Sequence, residues 1–544
     1  MRVAEAIGRA ISQLGVTESF GLVGSGNFHL VNGMRAAGVR FIAARHETGA
    51  VTMADAYARA SGRLGVATVH QGPGVTNALT GLTEAAKSRT PLLLLAAEAT
   101  APLSNFFIDE ERFATAAGAV HRRVSAAATA MAELAEAARI AVTQGRTVLV
   151  SLPLDVQAGA CDRPEGIAPP VRPPGAAAPA RDVEALARML VEARRPLILA
   201  GRGAVRAVAR QPLERLAERT GALLATSAVA NGLFSGNDWD LGISGGFATP
   251  LAAELIASSD LVVALGASLN MWTTRRGDLI AKDARVAQVD IDAAALGAHR
   301  RIDLGLEGDC AASALAVIEE LGSQPATGWR SPELRDRIRE GAWSRQPFDD
   351  VSGDGHIDPR ALTIALDGLL PAERTLAVDS GHFMGWAPMY MHVPDGGSFV
   401  FTQAFQSIGL GLATGLGAAV ARPDRLTVIA LGDGGALMSL PELETLGRIG
   451  VDALVVIYND ASYSAEVHHF APEGAPMDAV QFPDTDFAAL ARAVGLEAIT
   501  VRGLSDLAGV HDWMERGRPR PLLLDAKVVP TLVAEWLEEA FRGH

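Results

Sequence analysis

The sequence predicts an α/β protein of three doubly wound domains, each built on a parallel sheet. Three observations carry that expectation. Apolar runs of strand length recur along the chain, with helix-length stretches between them, as in parallel sheets covered on both faces. Two interruptions, a Pro-, Ala- and Gly-rich stretch at 163–181 and a polar stretch at 326–357, divide the 544 residues into three parts. The composition agrees: 49% of residues are hydrophobic and 56 are Gly, which suits large buried sheets joined by tight turns.

The first domain is expected over residues 1–162. Strand-like runs fall at 19–23, 39–43, 65–69, 91–96 and 147–152. The turn Gly21-Leu22-Val23-Gly24-Ser25-Gly26-Asn27 follows a strand but lacks the G-x-G-x-x-G spacing of a dinucleotide loop. Arg45-His46-Glu47-Thr48-Gly49 leads into a helix over 50–60, and an acid in a first turn ordinarily offsets the helix dipole. His70-Gln71-Gly72-Pro73-Gly74 opens another helix that carries Asn77. A His after an apolar strand is ordinarily packed, but this one adjoins a Gly-rich loop, so a proton-transfer role stands beside the structural one. Gln71 invites a polar contact on the same ground.

The second domain is expected over 182–325, with strands at 197–200, 222–225, 261–264 and 286–289. Its residues carry no chemistry legible from type and spacing, and a spacer role is the default. The third is expected over 358–544. Its strand 375–378 ends in Asp379-Ser380-Gly381-His382, and Gln406-Ser407-Ile408-Gly409 precedes a Gly-rich helix. Two buried strands, 426–431 and 453–458, flank a helix over 439–449 with Pro441 in its first turn. Asp433 and Asn459 therefore sit at the carboxyl ends of two strands, where open α/β sheets bind ligands. A carboxylate, an amide oxygen and a nearby carbonyl are hard ligands that suit Mg²⁺ or Ca²⁺. Gly434 and Gly435 let backbone N–H groups approach a phosphate. The combination points to a metal-bridged diphosphate.

Gly432-Asp433-Gly434, then 24 residues, then Asn459 closely resembles the signature of thiamine diphosphate (ThDP) enzymes. Acetolactate synthase, pyruvate decarboxylase and benzoylformate decarboxylase carry it. The resemblance implies a pyrimidine-binding first domain, a middle domain and a diphosphate-binding third domain. It implies Mg²⁺ held by Asp433, Asn459 and the Ala461 carbonyl. Glu47 would bond N1′ of the aminopyrimidine, with Gly72, Pro73 and Asn77 beside it. Gly381, His382, Gly434 and Gly435 would lie near the diphosphate. Ile408 would wedge between the cofactor rings, and the Gln406 carbonyl would accept from the 4′-amino group. Glu466 follows Tyr463 as a catalytic Glu follows a Tyr in pyruvate decarboxylase, although a solvated acid reads equally well.

The implied reaction is decarboxylation of a 2-oxo acid, with release of an aldehyde or ligation to a second carbonyl as an acyloin. Acetolactate synthase-like carboligase, non-ligating decarboxylase and 2-hydroxyacyl lyase all remain open. A nucleotide-binding dehydrogenase is a different class, disfavoured by the missing dinucleotide spacing. A cofactor binder without turnover would not require Glu47. FAD, which acetolactate synthase holds in its middle domain, stays uncertain, because Asn270-Met271-Trp272-Thr273 follows Ala264–Leu269 where the family has Phe-Asp-Asp-Arg. The resemblance implies a homodimer or homotetramer with active sites at the interface. A net charge of -14 without a basic block disfavours nucleic acid, no apolar run spans a membrane, and two cysteines fit a reducing cytoplasm.

Overall fold

The structure is a computed structural model that describes residues 1–161, 167–323 and 328–537. Parts of both expected linkers, 163–166 and 326–327, and the chain's last residues, 538–544, lie outside the described residues. Eighteen strands form three six-stranded sheets among the described residues, and every pairing within them is parallel.

The first sheet contains β1 (Glu18–Gly21), β2 (Arg40–Ala43), β3 (Gly65–Val69), β4 (Leu92–Glu98), β5 (Val120–Arg123) and β6 (Thr147–Pro153), in the order β2-β1-β3-β4-β6-β5. The second contains β7 (Pro196–Ala200), β8 (Leu223–Thr226), β9 (Asp240–Ile243), β10 (Leu261–Leu265), β11 (Arg285–Asp290) and β12 (Leu304–Glu307), in the order β12-β11-β10-β7-β8-β9. The third contains β13 (Arg374–Val378), β14 (Phe399–Phe401), β15 (Leu426–Gly432), β16 (Ala453–Asn459), β17 (Glu497–Val501) and β18 (Leu522–Lys527), in the order β14-β13-β15-β16-β18-β17. The expected fold class is the one observed.

Central strands such as β7 and β10 are buried along their whole length, so they read as unbroken apolar runs. Most of the strands that the sequence left unassigned lie at sheet edges. In β5 (Val-His-Arg-Arg) and β12 (Leu-Gly-Leu-Glu) one side needs no apolar cover, so no run forms. β18 is central but carries Asp525 and Lys527, a buried ion pair at 2.9 Å that interrupts its apolar pattern. The expected helix over 439–449 begins three residues later than read, at 442, and is preceded by a second helix that the sequence did not show. A short helix, Asp433–Met438, begins at the strand end, and Glu442–Ile449 follows with Pro441 as its N-cap.

The first and third domains share one core. Phe20, Val69 and Leu94 of the first sheet belong to the same buried cluster as Leu431, Ile457 and Leu523 of the third. The seam is the crossing of helix Glu47–Ser61 with helix Gly411–Ala421. A Cβ on Gly417 would lie 2.2 Å from the Met53 carbonyl oxygen, so glycine allows the backbones to touch. The middle domain has its own cores on the two faces of its sheet. No helix among the described residues is long and apolar enough to cross a membrane.

One buried acid serves the fold alone. Glu110 starts helix Glu110–Ala116, accepts the Ser151 hydroxyl at 2.5 Å, and is pushed by burial up to about 8. His121 Nε2 lies 2.9 Å from the same hydroxyl oxygen. The folded carboxyl keeps its proton through a window, from about 4.5 to about 8, in which the unfolded chain has lost it. Stability from this group therefore falls as pH rises through that window. Glu110→Gln should raise the thermal unfolding temperature above wild type by a margin that grows from pH 5 to pH 8, at most about 1.4 kcal/mol per pH unit. A margin independent of pH would show that Glu110 is ionised in the fold.

Candidate active site

Each sheet has a switch point, where the connections from two neighbouring strands leave in opposite directions, and open α/β sheets bind ligands at the carboxyl ends of the strands there. In the first sheet it falls between β1 and β3. The turn 21–27 follows β1, and His70-Gln71-Gly72 follows β3. In the third sheet it falls between β13 and β15, followed by Asp379–His382 and by Asp433. Topology alone thus collects most of the residues singled out by motif.

In the third domain, Gly432 pairs with Tyr458, so Asp433 and Asn459 leave neighbouring strand ends side by side. Asp433 is buried, and that burial, with the Asp460 charge beside it, pushes its carboxyl up to about 7. It forms no ion pair with a Lys or Arg among the described residues. Asn459 donates from Nδ2 to Asp525 at 2.9 Å, and to Asp484 and the Thr485 carbonyl at 3.3 Å. Its Oδ1 is thereby turned to the loop, where it accepts from Ala461 N at 3.2 Å. Ala461 is left-handed (φ 57°), and its carbonyl accepts from Phe482 N at 2.8 Å, which uses one of two lone pairs.

Gly434 and Gly435 could not be larger. A Cβ on the first would lie 2.4 Å from the Tyr463 ring, and on the second 2.5 Å from Asp379 Oδ2. A buried acid beside a half-buried one, neither paired with a Lys or Arg among the described residues, an amide oxygen turned toward the same loop and a side-chain-free cradle fit a divalent cation carrying a diphosphate.

Asp379 was missed in the sequence, although its neighbours Gly381 and His382 were read. It is wholly buried, and burial lifts it to about 6 against the N–H groups it accepts. Those donors are Ser380 at 2.8 Å, Gly409 at 3.0 Å and Leu410 at 3.2 Å. It ties the loop containing Gln406 and Ile408 to the end of β13. Gln406 is left-handed (φ 61°), a conformation a non-glycine residue holds only when its surroundings impose it. Ile408 is half-buried.

Gly381 has φ 135°, which favours glycine, and serves as the N-cap of the short helix His382–Gly385. His382 has an anchor that the sequence gave no hint of. Its Nε2 accepts from Ala534 N at 2.9 Å, and its ring is packed with Trp386, Trp536 and His468. Burial and the His468 ring hold it down to about 3, so it is neutral, with the ring proton on Nδ1. His468 is half-buried and its Nε2 has no partner among the described residues. Glu466 is half-exposed on helix Ser464–Phe470, and its carboxylate has no hydrogen bond or ion pair among the described residues.

In the first domain, Glu47 is buried as the first residue of its helix, and its Oε2 accepts from Asn77 Nδ2 at 3.1 Å. The approach to that helix is fixed from the third domain. Glu442, unread in the sequence, accepts from both Arg45 N and His46 N at 3.0 Å. Gly72 is left-handed (φ 61°) and Pro73 begins the helix Pro73–Asn77. Gln71 is buried with Oε1 unpartnered, and the Gly26 backbone crowds it so closely that a Cβ there would lie 1.9 Å from that oxygen. Gly26 N donates to His70 Nδ1 at 3.2 Å, which assigns the proton to Nε2. The glycine turn that failed as a dinucleotide loop is thus the seat of His70 and Gln71.

Comparison with known proteins adds to this geometry. Residues 1–116 match the family described as thiamine pyrophosphate enzyme, N-terminal TPP binding domain. Residues 183–321 match its central domain and 379–526 its C-terminal TPP binding domain. A probable 2-ketoarginine decarboxylase of Pseudomonas aeruginosa is 31% identical over 533 residues, covering 93% of this chain and 90% of the relative. A sulfoacetaldehyde acetyltransferase of Castellaniella defragrans is 29% identical over 541 residues, covering 93% and 89%. An acetolactate synthase large subunit of Parasynechococcus marenigrum is 29% identical over 552 residues, covering 96% and 87%.

Burial holds the His70 imidazole below its ordinary value, against the opposing pull of the Glu47 charge. It should be neutral, with the proton on Nε2, at pH 7. Nitrogen-15 NMR of histidine-labelled protein, with His70→Gln to assign the signal, checks this. A charged ring, or a proton on Nδ1, would contradict the Gly26 hydrogen bond.

Proposed function

We propose, from the premise that this chain belongs to the thiamine pyrophosphate enzyme family, that it is a Mg²⁺-dependent 2-oxo acid decarboxylase and carboligase. Membership makes it an enzyme of C–C bond lysis or transfer that works with thiamine diphosphate. The observation that carries the finer reading is the buried Asp433 at the switch point of the third sheet, without a basic partner among the described residues and beside Asn459 on the next strand. The relatives named above include an acyltransferase, a synthase and a decarboxylase, which supports acyl transfer after decarboxylation without naming donor or acceptor.

Bound ThDP supplies the electron sink for the decarboxylation. The chain's own groups do the rest. Asp433, the Asn459 amide oxygen and the Ala461 carbonyl would hold Mg²⁺, and the N–H groups of Gly434 and Gly435 would face the diphosphate. The Gln406 carbonyl and the Ile408 side chain would set the cofactor's bend, with Gly381 beside the diphosphate. Glu47, oriented by Asn77, would hold the proton at the pyrimidine nitrogen, with Gly72 and Pro73 forming the wall. His70 would offer Nε2–H to a substrate oxygen, and the buried Gln71 would line the same wall. Glu466, with no partner among the described residues, is available to deliver a proton that ends the reaction as an aldehyde.

The pyrimidine-side and diphosphate-side residues lie in different domains. Apolar side chains stand exposed beside both: Leu103 at 99% and Phe106 at 42% near the first, Met438 at 53% and Phe405 at 44% near the second. These patches support a homodimer, or a dimer of dimers, in which a second copy covers them and completes the site. The middle domain is proposed as a spacer, FAD forms no part of the proposal, and the expected setting is the cytoplasm.

Asp433→Ala should lose ThDP and Mg²⁺ binding together, because the ion carries the diphosphate. Calorimetric titration of ThDP with Mg²⁺ present checks this, and unchanged affinity would remove the metal bridge. Product analysis with a panel of 2-oxo acids, with and without an aldehyde acceptor, tests the reaction; no carbon dioxide from any member would overturn it. Glu466→Gln should lower the aldehyde-to-acyloin ratio by about 10²-fold if Glu466 is the proton donor. An unchanged ratio at full turnover would remove it and favour carboligation.

A further inference from the structure

We infer that Glu84 of the first domain is a positioning residue for the third domain's cofactor-facing segment, Gln406-Ser407-Ile408. The inference rests on the proposed function, which turns that segment toward ThDP.

Glu84 is wholly buried on helix Leu79–Lys87. Its Oε2 accepts from Phe405 N at 2.6 Å, and Ala404 N adds a second backbone contact. Its Oε1 accepts from Arg59 Nη2 at 2.8 Å and from Ser88 Oγ at 3.1 Å. Arg59 in turn donates from Nη1 to the Phe401 carbonyl at 3.1 Å. A buried ion pair of the first domain therefore grips both polarities of one backbone stretch in the third. Asp55 also receives Arg59, its Nε at 2.9 Å and its Nη2 at 2.5 Å. The second acid's outer oxygen is turned away from the pair and onto the foreign backbone.

On the far side of the segment, Asp379 accepts from Gly409 N and Leu410 N. Gln406, Ser407 and Ile408 thus hang between two buried carboxylates, one from each domain. The first of the three, Gln406, is left-handed, the conformation least able to persist without such a hold. Burial opposes ionisation of Glu84, but the Arg59 charge and the backbone donors outweigh it and keep the carboxyl below its ordinary value. Its bonds to Ala404 and Phe405 are accordingly charge-assisted.

The test compares Glu84→Gln, Glu84→Asp and Ser88→Ala in the full chain. The Asp variant keeps the charge near Arg59 but withdraws the oxygen from residue 405. Ser88→Ala removes a partner of the same carboxylate that touches no loop atom. Thermal unfolding, calorimetric affinity for ThDP with Mg²⁺, and hydrogen exchange of backbone amides 402–410 in the cofactor-free protein are measured for each. Both Glu84 variants should bind ThDP about 10- to 100-fold more weakly and exchange those amides faster. Ser88→Ala should match wild type in both readouts, whatever its unfolding temperature. Wild-type affinity and exchange in either Glu84 variant would overturn the inference, as would a loss of affinity that follows unfolding temperature across all three. Failure of wild type to bind ThDP would instead overturn the proposed function, while the exchange rates still report whether Glu84 holds the loop.

Discussion

Buried carboxylates that accept N–H groups from elsewhere in the fold hold the segments of this molecule's candidate site in place. Asp379 fixes Gly409 and Leu410, Glu442 fixes Arg45 and His46, and Glu84 fixes Phe405. Asp525 fixes the Asn459 amide and Phe487 N. A buried charge is costly unless its lone pairs are filled, and backbone donors fill them with no side-chain entropy to lose. Each acid therefore tolerates little movement of the segment it holds. Glu442 and Glu84 reach between the first and third domains, in opposite directions, so each domain sets part of the other's loop geometry.

That reciprocity depends on the shared core beneath it. The crossing of Glu47–Ser61 with Gly411–Ala421 puts the start of the Glu47 helix near Glu442 and the loop ahead of Gly411 near Glu84. The contact works because one partner is nearly all small residues, which brings two backbones within van der Waals reach. The middle domain joins the same junction through Arg202 and Arg206, whose guanidinium groups donate to the Ser88 carbonyl at 3.2 and 2.9 Å. It is thus anchored one residue away from the helix that carries Glu84.

The chemistry of the site follows from which groups are left over. Asp433 has no basic partner among the described residues, Asn459 has its amino side committed and its oxygen turned to the Ala461 loop, and His70 has one nitrogen committed to Gly26. Each is a half-satisfied group with a defined free side. Such groups cluster where a ligand completes the coordination, and here they collect at the switch points of two sheets.

The sequence by itself determined the three-sheet class, the central strands and the placement of Asp433 and Asn459. Those features are local: a fully buried parallel strand is an unbroken apolar run, and a Gly-Asp-Gly turn marks where it ends. Five of the six edge strands and β18 were not legible: β5, β9, β12 and β17 are partly exposed, β14 is only three residues long, and the charge pair inside β18 breaks its run. Tertiary structure alone decided that the Gly21–Asn27 turn seats His70 and Gln71, that His382 is anchored by Ala534, and that Glu84, Asp379 and Glu442 act on distant backbone. A carboxylate accepting a backbone N–H leaves no mark on its partner's identity, since every residue but proline offers the same donor. Contacts of that kind arise only when the chain has folded and brought the two segments together.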